Sequence, residues 1–367
     1  MRVLIAPDKF KGSLSAREVA AAVAAGLAQF PGIIAETCPI ADGGEGFAEA
    51  LAARREQVGS IRDPLGRPVS AGCGWMDAET AVIEMSDASG LHRLAPEERN
   101  PWQTSTFGTG QLIQHAATQG ASSILVGLGG SATNDAGAGA AAALGWQFLT
   151  SDGEPMEPRP ANFLAIERIE PPEDDTLPRI IAACDVRNPL LGPSGASRVY
   201  ARQKGADDRM IEHLELALDH LAGLVAEQLG IDHRLLPGAG AAGGLGYGLA
   251  TFFNAELQRG FSIVASALHL EERIAASDLI ITGEGRLDAQ TLHGKAPFEV
   301  ARLAKKHGKP IALLCGQSEP GAEAAGGFDL IIPLQSLEPS ESQCFASAAP
   351  LLSRAAARIA EWALQSR

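Results

Sequence analysis

Ser131, Thr133, Asn134 and Asp135 put hydroxyl, amide and carboxylate groups into one glycine-rich stretch, residues 127–139. An apolar run, 124–126, leads into it and an alanine-rich run, 140–144, leads out, which is the pattern of strand, turn and helix. Such a turn aims backbone N–H groups and the positive end of a helix dipole at one point. That geometry suits an anion, phosphate above all. Gly129, Gly130, Ser131, Thr133 and Asn134 are the residues that would cradle it. A turn that only redirects the chain needs one or two glycines and no such cluster of polar groups.

Four further polar turns follow strand-like runs. After residues 3–6 come Lys9 and Lys11, ahead of a capping box, Ser15-Ala16-Arg17-Glu18, that predicts a helix to about residue 28. Helix dipoles favour acids in that position, so two lysines there point to an anion held between them and the helix end. After the strand 33–40, Asp42-Gly43-Gly44-Glu45-Gly46 opens a predicted helix over 47–54. Asp42 and Glu45 either serve that helix as cap and first-turn acid, or together hold a metal or a substrate hydroxyl. After the strand 180–184 come Asp185, Arg187 and Asn188, at the carboxyl end of a strand, where open α/β sheets bind ligands. After the strand 278–282 come Glu284, Arg286 and Asp288, then Lys295 in a turn before another helix.

Two more stretches carry weaker signals. Thr104-Ser105-Thr106 precedes a helix predicted over 111–118, and its hydroxyls either cap that helix or bind an oxyanion. The string 238–243 spells G-x-G-x-x-G, yet Arg234-Leu235-Leu236-Pro237 makes a poor strand ahead of it. A dinucleotide site needs that strand, so a close backbone approach or helix packing is expected instead. Taken together, the turns supply cations, acids and backbone donors in the mixture that phosphoryl transfer uses: donors on the phosphates, a carboxylate on Mg²⁺ and a base near the attacking hydroxyl. No G-x-x-x-x-G-K-[ST] is present, which disfavours the P-loop fold.

The elements that must position these groups are α/β in character. The chain has 367 residues, enough for two domains, and is 46% hydrophobic but 5% aromatic. The β-α rhythm of the first 60 residues returns at the carboxyl end. One doubly wound lobe is therefore expected from residues 1–61 and 276–367, with 62–275 inserted as a second α/β domain. Residues 69–75 and 80–85 read as a hairpin. The net charge of −14 and the absence of a basic run exclude nucleic-acid binding as an expectation. The five cysteines are widely spaced, no apolar run reaches membrane-spanning length and no leader is visible, so a cytoplasmic protein without membrane partners is expected.

Five of these stretches, in order, carry a resemblance. They are 6–16 (Ala-Pro-Asp-Lys-Phe-Lys-Gly-Ser-Leu-Ser-Ala), 41–46, 127–139, 184–192 (Cys-Asp-Val-Arg-Asn-Pro-Leu-Leu-Gly) and 282–288 (Thr-Gly-Glu-Gly-Arg-Leu-Asp). They closely resemble the bacterial glycerate kinase type 1 family. The resemblance implies ATP-dependent phosphorylation of D-glycerate at its 2-hydroxyl, with Mg²⁺. It also implies a flavodoxin-like lobe, a second domain inserted into it and a site in the cleft between them. On that footing Asp185 is the expected base. Lys9, Lys11 and Lys295 would neutralise phosphate or the glycerate carboxylate, and Arg187, Asn188 and Arg286 would assist binding. Glu284 or Asp288 would hold Mg²⁺. Asp42, Asp135 and Asp288 remain alternatives for the base. The alternatives in function are a glycerate 3-kinase or other hydroxy-acid kinase, a dinucleotide-dependent dehydrogenase and a non-catalytic anion sensor. A monomer or homodimer is expected.

Overall fold

The computed structural model describes the chain except residues 42, 45, 52–53, 175, 289–294, 320, 322–326 and 366–367. In chain order its strands are β1 (Arg2–Ile5), β2 (Ile34–Thr37), β3 (Arg54–Arg62), β4 (Pro68–Trp75), β5 (Thr80–Glu84), β6 (Ser123–Gly127), β7 (Gln147–Leu149), β8 (Arg168–Glu170), β9 (Arg179–Ala183), β10 (Glu256–Gln258), β11 (Leu279–Leu287), β12 (Ile311–Ser318) and β13 (Leu330–Pro333). The chain divides into two compact units, Met1–Asp42 with Phe261–Arg367, and Gly43–Gly260.

The first unit is built on an all-parallel sheet of order β13-β12-β11-β1-β2. Counted along this unit alone, that is the flavodoxin-like order 2-1-3-4-5, whose switch point lies between β1 and β11. Val3, Ile5, Leu279, Ile281 and Leu314 are fully buried, as strands covered on both faces require. Helix Ala16–Leu27 begins at the expected capping box: Ser15 Oγ accepts from the Glu18 N–H, and Glu18 returns a carboxylate oxygen to the Ser15 N–H. It packs on the last helix, Ala348–Gln365, and Gly26 permits the approach, since a Cβ there would lie 2.2 Å from the Ser353 carbonyl oxygen.

The second unit holds a mixed six-stranded sheet, β10-β9-β6-β5-β4-β3, and the small pair β7-β8. β10, β9, β6 and β5 run parallel, and β5-β4-β3 is an antiparallel meander. The expected hairpin is thus present as β4 and β5. The chain is α/β, with a flavodoxin-like parallel sheet drawn from both chain ends and a second α/β unit inserted in sequence.

The boundaries fall elsewhere than the junctions expected at 61 and 275. Arg54, expected to end a helix, already belongs to β3, whose long antiparallel register with β4 ties it to the second sheet. The preceding helix is described over Phe47–Leu51. Residues 261–275 belong with the first unit, where Arg273 bonds Glu36 Oε1 at 2.6 Å and the Thr37 carbonyl at 3.0 Å.

Candidate active site

In the second unit the carboxyl ends of three parallel strands lie side by side: Glu84 of β5 pairs with Gly127 of β6, and Gly127 with Ala183 of β9. The turn after β6 is closed by its own carboxylate. Asp135 has no exposed surface, and its oxygens accept from the Thr106 N–H (2.7 Å), Thr106 Oγ1 (2.8 Å), the Gly137 N–H (3.3 Å) and the Gly139 N–H (3.3 Å). This corrects the expectation that the helix following the turn, Ala138–Ala143, offers its dipole to a ligand. The N-terminal donors are occupied from within, because a buried carboxylate needs them. The same contacts remove Asp135 from the candidates for the base. Burial pushes its carboxyl above the usual range, opposed by the Thr106 donors and then the Gly137 and Gly139 amides.

The hydroxyls of 104–106 are spent the same way, in place of an oxyanion site. Thr104 Oγ1 donates to the Ala132 carbonyl at 3.0 Å, and Thr106 Oγ1 also accepts from the Ala140 N–H at 3.0 Å. The helix they precede starts at Phe107, four residues before its expected beginning. Behind the turn lies a group that the sequence alone did not suggest. Lys204 is 1% exposed, and its Nζ donates to Ser131 Oγ and to the Thr133 carbonyl, both at 2.7 Å. Asn134 Nδ2 donates to Ser197 Oγ at 3.0 Å. Thr133 and Asn134 are therefore wholly internal, while Gly129, Gly130 and part of Ser131 reach the surface. Thr133 Oγ1 and Asn134 Oδ1 are buried with no hydrogen-bond partner among the described residues.

The glycine string after residue 237 supports this turn from the other side, in the packing role expected of it. Ala242, Gly243 and Gly244 all take left-handed backbone angles, and a Cβ on Gly243 would lie 1.9 Å from the Thr133 carbonyl oxygen. The Gly243 carbonyl accepts from the Ala136 N–H at 3.1 Å.

After β9, Asp185 and Arg187 are exposed. Asn188 is half-buried and works within its own loop: Nδ2 donates to the Ser194 carbonyl at 2.7 Å, and Oδ1 accepts from Tyr200 Oη at 2.8 Å. After β5, Glu84 is buried, and its Oε1 accepts from the Gly46 N–H (3.1 Å) and the Ala48 N–H (2.9 Å). It thereby fixes the start of helix Phe47–Leu51 and the glycine turn before it. Asp42 and Glu45 lie outside the described residues. Glu84 occupies the same kind of position as Asp185, an acid at the carboxyl end of a parallel strand. The hairpin pattern hid this, because β5 is antiparallel to one neighbour and parallel to the other.

The first unit carries a second constellation, at its switch point. The Asp8 N–H donates to the Gly283 carbonyl at 2.8 Å, and a Cβ on Gly285 would lie 3.3 Å from the Lys11 nitrogen, so the 8–11 loop runs beside the end of β11. Lys9 is half-buried and Lys11 exposed. The stretch 283–287, expected as a turn, continues β11 because it stays in register with β12 as far as Leu287. Lys295 Nζ lies 3.3 Å from Asp288 Oδ1 and 3.9 Å from Glu284 Oε2, which places both acids around one cation. Arg286 is exposed and pairs with Glu319 at 2.6 Å.

The chain is similar to known proteins in sequence and in fold. Residues 3–364 match the profile of the Glycerate kinase family. The chain is 41% identical to the Glycerate 2-kinase of Escherichia coli K12 over 372 aligned residues, covering 98% of this chain and 97% of that one. It is 42% identical to the Glycerate kinase of Bacillus subtilis 168, with the same coverage. A crystal structure described as a glycerate kinase 2 from Salmonella typhimurium LT2 superposes with a TM-score of 0.83 at 40% identity, covering 98% of each chain. With the family profile matched over residues 3–364 and relatives about 41% identical across nearly the full length of both chains, the chain belongs to the glycerate kinase family.

Proposed function

We propose that the protein is an ATP-dependent glycerate 2-kinase, transferring a phosphoryl group to the 2-hydroxyl of D-glycerate with Mg²⁺. The observation that carries this is the pair of constellations at the carboxyl edges of the two sheets, one rich in lysine and acid and the other in exposed glycine turn and Asp185. Family membership supports glycerate as acceptor, and the name of the Escherichia coli relative supports the 2-position.

Asp185 is exposed at a strand end and can take the hydroxyl proton as the oxygen attacks phosphorus. Lys9, Lys11 and Lys295 carry positive charge that can offset the phosphates or the glycerate carboxylate. Gly129, Gly130 and Ser131 form the reachable part of the glycine turn and would hold phosphoryl oxygens, with Arg187 and Arg286 as further cations and Asn188 holding its loop in shape.

The acids fit Mg²⁺. Glu284 and Asp288 both lie around Lys295 Nζ, and among the described residues no group of three His, Cys, Asp or Glu side chains could hold a metal. Mg²⁺ prefers one or two carboxylates plus phosphate oxygens and water to an all-protein cage. When bound there it would offset charge on the transferring phosphoryl group.

The test is ADP release from Mg-ATP with and without D-glycerate, followed by addition of enolase with no phosphoglycerate mutase present. Glycerate-dependent release with formation of phosphoenolpyruvate is expected. Release without phosphoenolpyruvate points to the 3-hydroxyl, and no dependence on glycerate rejects the assignment.

A further inference from the structure

We propose that Lys204 is a positioning residue of the phosphate turn: its ammonium orients the Ser131 hydroxyl toward a bound phosphoryl group and supplies positive charge through it. This rests on the function proposed above.

An ammonium has donors and no acceptor. Ser131 Oγ must therefore accept from Lys204 Nζ at 2.7 Å, and its own hydrogen is left to donate elsewhere. Both residues are buried, Lys204 at 1% exposure and Ser131 at 8%, and of the two the serine keeps the larger exposed surface. A hydroxyl that accepts from a cation becomes a stronger donor in turn. The second Lys204 bond, to the Thr133 carbonyl at 2.7 Å, holds the backbone that carries the hydroxyl.

Stapling the turn does not by itself call for a charge. The segment that bears Lys204 also bears Ser197, which ties down the adjacent Asn134 with a neutral hydrogen bond at 3.0 Å. Burying an ammonium is costly, and burial pulls Lys204 down to about 7, with Asp135 opposing that shift. At neutral pH the group is then charged in about half of the molecules, a charge held where a neutral donor would serve the fold. The gain is at the mouth of the turn, in a protein whose net charge of −14 otherwise repels anions.

Lys204→Gln keeps a donor and removes the charge, whereas Ser131→Ala cuts the link to the surface. Both variants and the double variant are compared for kcat, for KM of ATP and for thermal midpoint. Ser131→Ala is expected to lower kcat about 10²-fold, as loss of one aimed donor does. Lys204→Gln should lower kcat at least about tenfold, and the double variant should lose much less than the product of the two single losses, because both changes break one chain of contacts. A purely structural lysine would give losses that multiply in the double variant, and that result overturns the assignment, as does an unchanged kcat in Lys204→Gln. If Lys204→Gln does not fold, Ser131→Ala decides alone: full activity overturns the assignment, and a loss of about tenfold or more supports it. Calorimetric titration with ATP, without glycerate, separates the two proposals. A wild-type protein with no glycerate-dependent ADP release would reject the function. The Lys204 assignment would then stand if both single variants bound ATP at least about tenfold more weakly, and fall if they bound it equally.

Discussion

Glu84 is the last residue of β5 and Asp185 lies just past the end of β9, yet one is buried and the other exposed. Asp185 is exposed, and Asp185→Asn is expected to lower kcat about 10²–10⁴-fold with little change in thermal midpoint. An active Asp185→Asn protein would remove it as the base. Glu84 is buried and serves two amides. Burial raises its pKa, opposed by the Ala48 amide, with Asp87 raising it further and Arg55 and the Gly46 amide lowering it. The folded protein therefore keeps this proton to a higher pH than the unfolded chain. In that window the folded state binds more protons, so the stability Glu84 contributes is complete in acid and is lost as pH rises. Glu84→Gln does not titrate, so its melting temperature relative to wild type should climb as pH rises above the ordinary glutamate range, about pH 4. A pH-independent difference would contradict the assigned burial cost.

Elements made of small residues do the positioning. Consecutive left-handed residues 242–244 bring one backbone against another, with Gly243 at φ 69°. Gly243→Ala adds both a strained φ and a Cβ 1.9 Å from a carbonyl oxygen, and is expected to cost more than about 2 kcal/mol in chemical denaturation. Because the displaced carbonyl is that of Thr133, which Lys204 holds, the residual folded protein should also lose activity. A variant with wild-type stability would mean that the turn can shift freely.

At the scale of the whole molecule, the two units differ in how the chain builds them. Residues 43–260 are contiguous and carry their own core, from Ile83 and Val126 to Leu221 and Leu245. Expressed alone, they are expected to give a cooperative thermal transition by circular dichroism. The other unit needs both chain ends, since β1 lies between β2 and β11, and helix Ala16–Leu27 packs on Ala348–Gln365. Truncation after residue 347 removes Leu352, Ala356 and Ile359 from its core and should abolish its folding, read as insoluble protein or loss of that unit's transition. A soluble truncated chain with native helicity would show that the first unit closes without its last helix.

What the sequence determined by itself was local or repeated over many residues. The capping box at Ser15, the strand-turn-helix order around 127–139 and the α/β class follow from spacing along the chain, because hydrophobic period and cap chemistry act over a few residues, while the family was legible as a resemblance of five motifs. The tertiary structure alone decided which polar groups face each other. Lys204 meets Ser131 across 73 residues, and Thr106 meets Asp135 across 29. Nothing near Lys204 in sequence marks it, since its burial comes from packing and not from its neighbours. The same holds for the helix after the turn, whose dipole was legible but whose occupant was not. A buried carboxylate takes the nearest donors it can find, and only the folded chain shows that the nearest carboxylate was Asp135.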